Sequence, residues 1–360
     1  MTLVLPSTRD EAWRWSDLSA LTALAAADPR GGIVDARDLR IGGGGPRLVF
    51  VDGRYQAESS DPGPVTVGTV AAATDHALGR LATGPGWSLA IEAGHSHSAA
   101  IEILHLGTGG SSHVPATITL GRDARASLVE THAGEGWANR LTRIALAPGA
   151  RATRAVRLLQ RDGFVSLRDE AEVAAGASLV TTILAAGGAD SRLDARIILA
   201  GEGACAEHGG ALLARGRQRH DAAVVLRHAR AGGLSQQVWR AVADEQAANS
   251  LAARVEVARD AQRTDAKQSL RGLLLRRSAT INLKPELEIF ADDVKCAHGA
   301  TVGELDAQAL FYLASRGLPP EQAQAVLTRA FVADALLRIG EESAREAFLT
   351  DAATWLETIK

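Results

Sequence analysis

Cys296 and His298 are the residues of this 360-residue chain best placed by type and spacing to do chemistry. They stand in the stretch ADDVKCAHGATVGELD, Ala291 to Asp306, with Asp292, Asp293 and Asp306 around them. On a strand, C-x-H puts both side chains on one face. Thiolate and imidazole are soft-to-borderline ligands that suit iron or zinc. A closed tetrahedral site needs four ligands, and neither a C-x-x-C nor a third cysteine supplies the rest. A nucleophile with its base is a second reading, with Asp292 or Asp293 orienting the imidazole. Plain packing is a third. If the pair binds metal, it is half a site and a second chain completes it.

Four other histidines, His95, His97, His105 and His113, fall within nineteen positions. In GHSHSAAIE, His95 and His97 with Glu102 make the H-x-H…E half of a cupin-like metal site. The glycine spacing is not that of a cupin and no second motif follows, so surface or packing roles are the expectation. Gln246, Asn249, Gln262 and Gln268 alternate with other residues and could stack as polar ladders; a solvated sheet face is the plainer expectation. Cys205, after a turn, reads as a small buried hydrophobe. IGGGG, Ile41 to Gly45, lacks the lysine and the strand–helix setting of a phosphate loop, so it reads as a loop.

The elements that must position these residues fall into three regions. Over 1–88 the pattern is mixed: Trp13, Leu18, Leu21, Leu24 and Ala25 recur at helical spacing, with Ser7 and Thr8 as caps, and Asp52-Gly53 marks a hairpin turn. Over 89–302 short apolar runs alternate as strands. The corners Asp123-Ala124, Gly149-Ala150, Gly176-Ala177 and Gly203-Ala204 place alanines 26, 27 and 27 residues apart. A fixed period of this size predicts stacked β coils, a solenoid whose rungs bury side chains against one another. The rhythm then weakens, and Asp260-Ala261 and Ser278-Ala279 are read as continuing rungs with a shorter coil. Over 303–360 the pattern turns helical, with Pro319-Pro320 opening a second of three helices.

Composition narrows the classes. Hydrophobic content is 46% and charged content 22%, which suits a globular chain with a large core. A net charge of −3 gives no general basic field for nucleic acid and no polybasic membrane patch. Two cysteines, no signal-peptide pattern and no long apolar run predict a cytoplasmic chain without a membrane span.

The block LKPELEIFADDVKCAHGATVGELDAQALFYLASRGL, Leu283 to Leu318, resembles the carboxyl-terminal core of the SufB/SufD family of iron–sulfur cluster assembly subunits. DAQRTDAKQSLRGLLL and VETHAG are similar to further family patterns, and CAHGAT favours the SufD branch over SufB. The resemblance implies a mainly β fold, with a right-handed parallel β-helix between an amino-terminal helical region and a carboxyl-terminal helical domain. It implies a non-catalytic scaffold that pairs with SufB through the β-helix ends and docks SufC, an ABC-type ATPase, on its carboxyl-terminal helices. A homodimer is open for the isolated chain. It implies that His298 offers a ligand to a transient iron–sulfur cluster shared with SufB, with Cys296 as its neighbour. Flavin stays open, since no dinucleotide motif is present. The alternatives are a cupin-like metalloenzyme using His95, His97 and Glu102, or a plain solenoid interaction module.

Overall fold

The computed structural model describes residues 3–31, 36–42, 44–71 and 73–357; Gly43 of the IGGGG run and Lys360, where the last helix was expected to end, lie outside them. The chain is mainly β, a parallel solenoid of about 7 turns with helices at its ends. Among the described residues no helix is long and apolar enough to cross a membrane.

The amino-terminal stretch contains a 3-10 turn at Glu11–Trp13 and the helix α1 (Ala20–Ala26). Trp13, Leu18 and Leu21 pack with Leu78, Trp137 and Phe164, so the helical spacing marks a buried face. The strand β1 (Arg47–Val51) turns at Asp52-Gly53 into β2 (Arg54–Tyr55), the hairpin that the Asp-Gly pair predicts. Both turn residues have positive φ, 49° and 76°, as this tight reversal demands. Next, β3 (Val65–Thr69) pairs antiparallel with β4 (Pro85–Ile91).

Two long strands, β5 (Ile101–Leu120) and β6 (Arg125–Leu146), then run through both sheets of the solenoid. Their amino-terminal halves continue the sheet begun by β1, and their carboxyl-terminal halves continue the sheet begun by β4. They bend where glycines stack. A Cβ on Gly136 would sit 2.2 Å from the Gly110 carbonyl oxygen, so this corner admits only glycine. The coils that follow each give one strand to each sheet: β7 (Arg151–Leu158) and β8 (Asp162–Val173), β9 (Ser178–Ala185) and β10 (Asp190–Leu199), β11 (Cys205–Ala214) and β12 (Arg219–His228), β13 (Leu234–Ala243) and β14 (Ala248–Val257), β15 (Thr264–Leu274) and β16 (Thr280–Ile289). The last strand, β17 (Val294–Gly303), closes the series. Within each sheet every such pairing is parallel and in register.

Ala124, Ala150, Ala177 and Ala204 form the corner stack that their spacing predicts, and all four have no exposed surface. Beyond Ala204 the expectation of shorter coils is overturned. Early steps are 26 or 27 residues, as from Ser127 to Thr153 and Asn139 to Ser166. Later ones grow to 29 and 32, as from Ser191 to His220 and Ser250 to Asn282. The corner after Ala204 is made by Gly233, whose carbonyl takes up the same ladder. A glycine there hid the repeat. Ala279 belongs to the opposite corner, next to Ala247.

Three carboxyl-terminal helices follow: α2 (Ala307–Ser315), α3 (Pro320–Leu336) and α4 (Glu342–Glu357). Val332, Leu336, Phe348 and Trp355 cover Val129, Leu184, Leu213 and Val242 on the outer face of the sheet carrying the odd-numbered strands. Arg157 donates to Asp351 at 3.0 Å and Arg240 pairs with Asp334, tying α4 and α3 to β7 and β13. By contrast α2 buries no side chain, and Phe311 and Tyr312 are 77% and 56% exposed.

Candidate ligand site at the open end

The two ends of the solenoid differ. At the amino-terminal end β2 and β3 fold back antiparallel over β1 and β4. At the other end, among the described residues, β16 pairs along its length only with β14 and β17 only with β15, and their outer backbone edges carry no further strand. Nearly every residue of β17 is exposed. Ile289, Phe290 and Val302 are exposed there as well, at 39%, 61% and 43%.

Cys296 and His298 lie on this last strand. Their ladder partners on β15 are Ala266 and Gln268. Both partners are buried, on the alternating face of β15 that fills the interior. Cys296 and His298 therefore continue interior files of the solenoid, half-buried and exposed respectively, at its mouth. The flanking acids do other work. Asp306 caps α2, accepting from the Gln308 and Ala309 backbone at 2.7 and 3.0 Å. Asp293 uses its backbone to meet Arg263 and Gln262. Among the described residues no hydrogen bond or ion pair joins Asp292 or Asp293 to His298, so no orienting carboxylate of a nucleophilic pair is in place. Burial pushes the Cys296 thiol up, against a lowering contribution from the Ala266 backbone, with Asp265 raising it further. The thiol therefore stays protonated at neutral pH until a metal draws the proton off.

Behind His298 the interior is polar. Arg154, Thr181 and His208 are successive ladder partners, and so are Gln237, Gln268 and His298. Gln268 donates to the Ala253 carbonyl at 2.9 Å and keeps its own amide oxygen buried and unpartnered. Asn249 likewise turns inward, donating to Val242 at 2.9 Å. The solvated-face reading is thus corrected for Asn249 and Gln268, while Gln246 is exposed and Gln262 intermediate. Cys205 is intermediate rather than buried.

Deeper in, a fully buried ion-pair triad crosses between the sheets. Arg154 pairs with Glu130 at 2.5 Å and with Asp169 at 2.6 Å. Beside it, His105, Glu130 and His132 bring their ligand atoms within 4.8 Å of one another, the sole group of three of this kind among the described residues. The cupin-like set is corrected here. His95 and His97 sit in a loop, their Nδ1 atoms 3.1 and 2.8 Å from the Ala93 and Ala99 carbonyls. Glu102 is buried on β5 and paired with Arg47. His113 contacts Asn139 and the Trp137 ring.

A parallel β-solenoid with ligand-type residues at an open mouth and a helical appendage defines the structural class. The sequence matches the description SUF system FeS cluster assembly, SufBD core domain, over residues 105–331. The chain belongs to this SufB/SufD family and is SufD-like. It is 42% identical over 126 residues to an iron–sulfur cluster assembly SufBD family protein of Synechocystis, covering 34% of this chain and 27% of that one. It is 41% identical over 95 residues to the iron–sulfur cluster assembly protein SufD of Escherichia coli, covering 26% and 22%. It is 36% identical over 124 residues to the chloroplastic protein ABCI7 of Arabidopsis thaliana, covering 34% and 26%. The matched segments thus span about a quarter of these relatives' lengths.

Proposed function

We propose that this chain is a non-catalytic scaffold subunit for iron–sulfur cluster assembly in the cytoplasm, built as a region to 88, a solenoid over 89–302 and a helical part over 303–360. It pairs through the open solenoid end with a SufB-type chain and docks a SufC-type ATPase on its carboxyl-terminal helices. The nascent cluster is substrate, held between the two chains. The observation that carries this reading is the Cys296–His298 pair, aimed along interior files at an end whose edge strands lack partners. Unpaired edges and exposed apolar side chains at one end favour a second solenoid as the occupant.

His298 is the proposed ligand, because its imidazole stands exposed at the mouth and imidazole nitrogen suits iron. Cys296, with its raised thiol pKa, is the subsidiary one. Three residues, Glu304 to Asp306, separate β17 from α2. A pull on α2 by a docked ATPase would therefore reach the strand that carries both residues. The test is cluster reconstitution on the assembled complex. His298→Ala is expected to lower cluster yield by about 10- to 100-fold, the usual effect of weakening a metal shell, and Cys296→Ser by less. Unchanged yield with His298→Ala would remove the ligand assignment.

A further inference from the structure

We propose that His105, Glu130 and His132 form a buried site for one divalent transition-metal ion of the zinc or ferrous type, in the closed half of the solenoid. The site is separate from the mouth. His132 on β6 and His298 on β17 are six ladder steps apart, on the order of 30 Å at about 4.8 Å per step.

Backbone register builds the site. His105 and His132 are direct ladder partners on β5 and β6, and their rings stack at 4.8 Å and 18°. Glu130 lies two residues before His132 and so shares its face. Tetrahedral zinc with bonds of about 2.0–2.1 Å sets ligand atoms roughly 3.4 Å apart, a spacing that modest side-chain rotation reaches from here.

Two observations point to an occupant. Both rings are buried, at 2% and 0% exposure, yet among the described residues none of their four nitrogens has a hydrogen-bond partner. Each such buried group left unmet is destabilising. Elsewhere the protein meets this demand: His220 bonds Ser191 and Leu213, and His228 bonds Ser235. His208 shares the deficit, but it does not belong to the group of three. The second observation is Glu130 itself. Arg154 contacts both its oxygens, at 2.5 and 3.2 Å, and holds Asp169 with its other arm. An ionised carboxylate has about four acceptor sites, so Glu130 keeps capacity toward the imidazoles while Arg154 fixes its orientation.

Donor chemistry selects the kind of ion. Two buried imidazoles offer ring-nitrogen lone pairs, and Arg140 and Arg154 place positive charge nearby. Those guanidinium groups disfavour a hard cation held by charge alone. A borderline ion bonded through nitrogen lone pairs is what remains.

The experiment uses the full chain carrying Cys296→Ser and His298→Ala, so that the mouth cannot contribute. It is refolded from denaturant with zinc or cobalt(II), passed through a desalting column and assayed for bound metal. About one ion per chain is expected, with visible cobalt bands of a tetrahedral site and a higher melting temperature than the chelator-treated protein. His105→Phe, which extends the stack on Phe50, and His132→Phe are each expected to cut occupancy at least tenfold. Protein that folds but retains no stoichiometric metal would overturn the proposal. So would occupancy unchanged in the double Phe variant. Neither result bears on His298.

Discussion

Arg154 is the side chain on which the interior turns. Burial works to lower its pKa, but the charges of Asp169 and Glu130 overcome that and raise it, so it stays a cation at every accessible pH. Removing one member of such a buried set strands the others. Arg154→Met is expected to cost about 3–5 kcal/mol in urea unfolding. Replacing Arg154, Glu130 and Asp169 together by apolar residues of similar volume is expected to cost far less, because no charge is then left alone. A loss under 1 kcal/mol for the single variant would show that water reaches the triad. At this scale the sequence was readable where alternation alone decides the answer. Cys296 and His298 share a face because they are two apart on a strand. Alternation cannot say which face is inside, and a polar interior reverses the usual guess. That is why Asn249 and Gln268 looked solvent-facing until register placed them.

Corners and helices set the next level. Ala124, Ala150, Ala177 and Ala204 leave no room at the turn, so Ala177→Leu is expected to destabilise by about 1–3 kcal/mol through overpacking, measurable by thermal melting. The same change at exposed Ala297 on β17 is expected to stay within about 0.5 kcal/mol. The stack was legible because a small residue recurred at a fixed interval. It faded where Gly233 took the same place, since glycine solves that corner as well as alanine does, and where coils lengthened. The helix α2 carries the opposite lesson. Its apolar residues Leu310, Phe311 and Leu313 have helical spacing that normally signals burial, yet Phe311 and Tyr312 face outward. Their burial is expected from a partner. On the proposed docking, Phe311→Ser with Tyr312→Ser should leave the melting temperature within a degree or two while abolishing co-purification of an ABC-type ATPase. Retained co-purification would move the docking surface elsewhere.

The whole molecule has an acid weakness. Burial lowers the pKa of His208 to about 3, and of His220 and His228 to about 4. The unfolded chain holds these residues near 6.5. Below that pH the unfolded state takes up protons that the folded state refuses, so their stability is whole above 6.5 and falls toward pH 4. Asp221, raised to about 6 mainly by burial, works the other way and offsets one of them. Three such histidines less one aspartate give these four groups a slope of at most roughly 3 kcal/mol per pH unit, at about 1.36 kcal/mol per unit for each, and His113, lowered to about 4 by burial, steepens it. Urea midpoints at pH 7.5 and pH 5 measure it; equal midpoints would contradict the neutral, buried state of these rings. The difference between the two solenoid ends has a further consequence, of stoichiometry. A rod sticky at both ends adds subunits without limit and grows into a fibre. This one is stoppered at its amino-terminal end by two antiparallel returns. A second rod that meets the open end is expected to use that end up, so growth along the solenoid axis should halt at two rods.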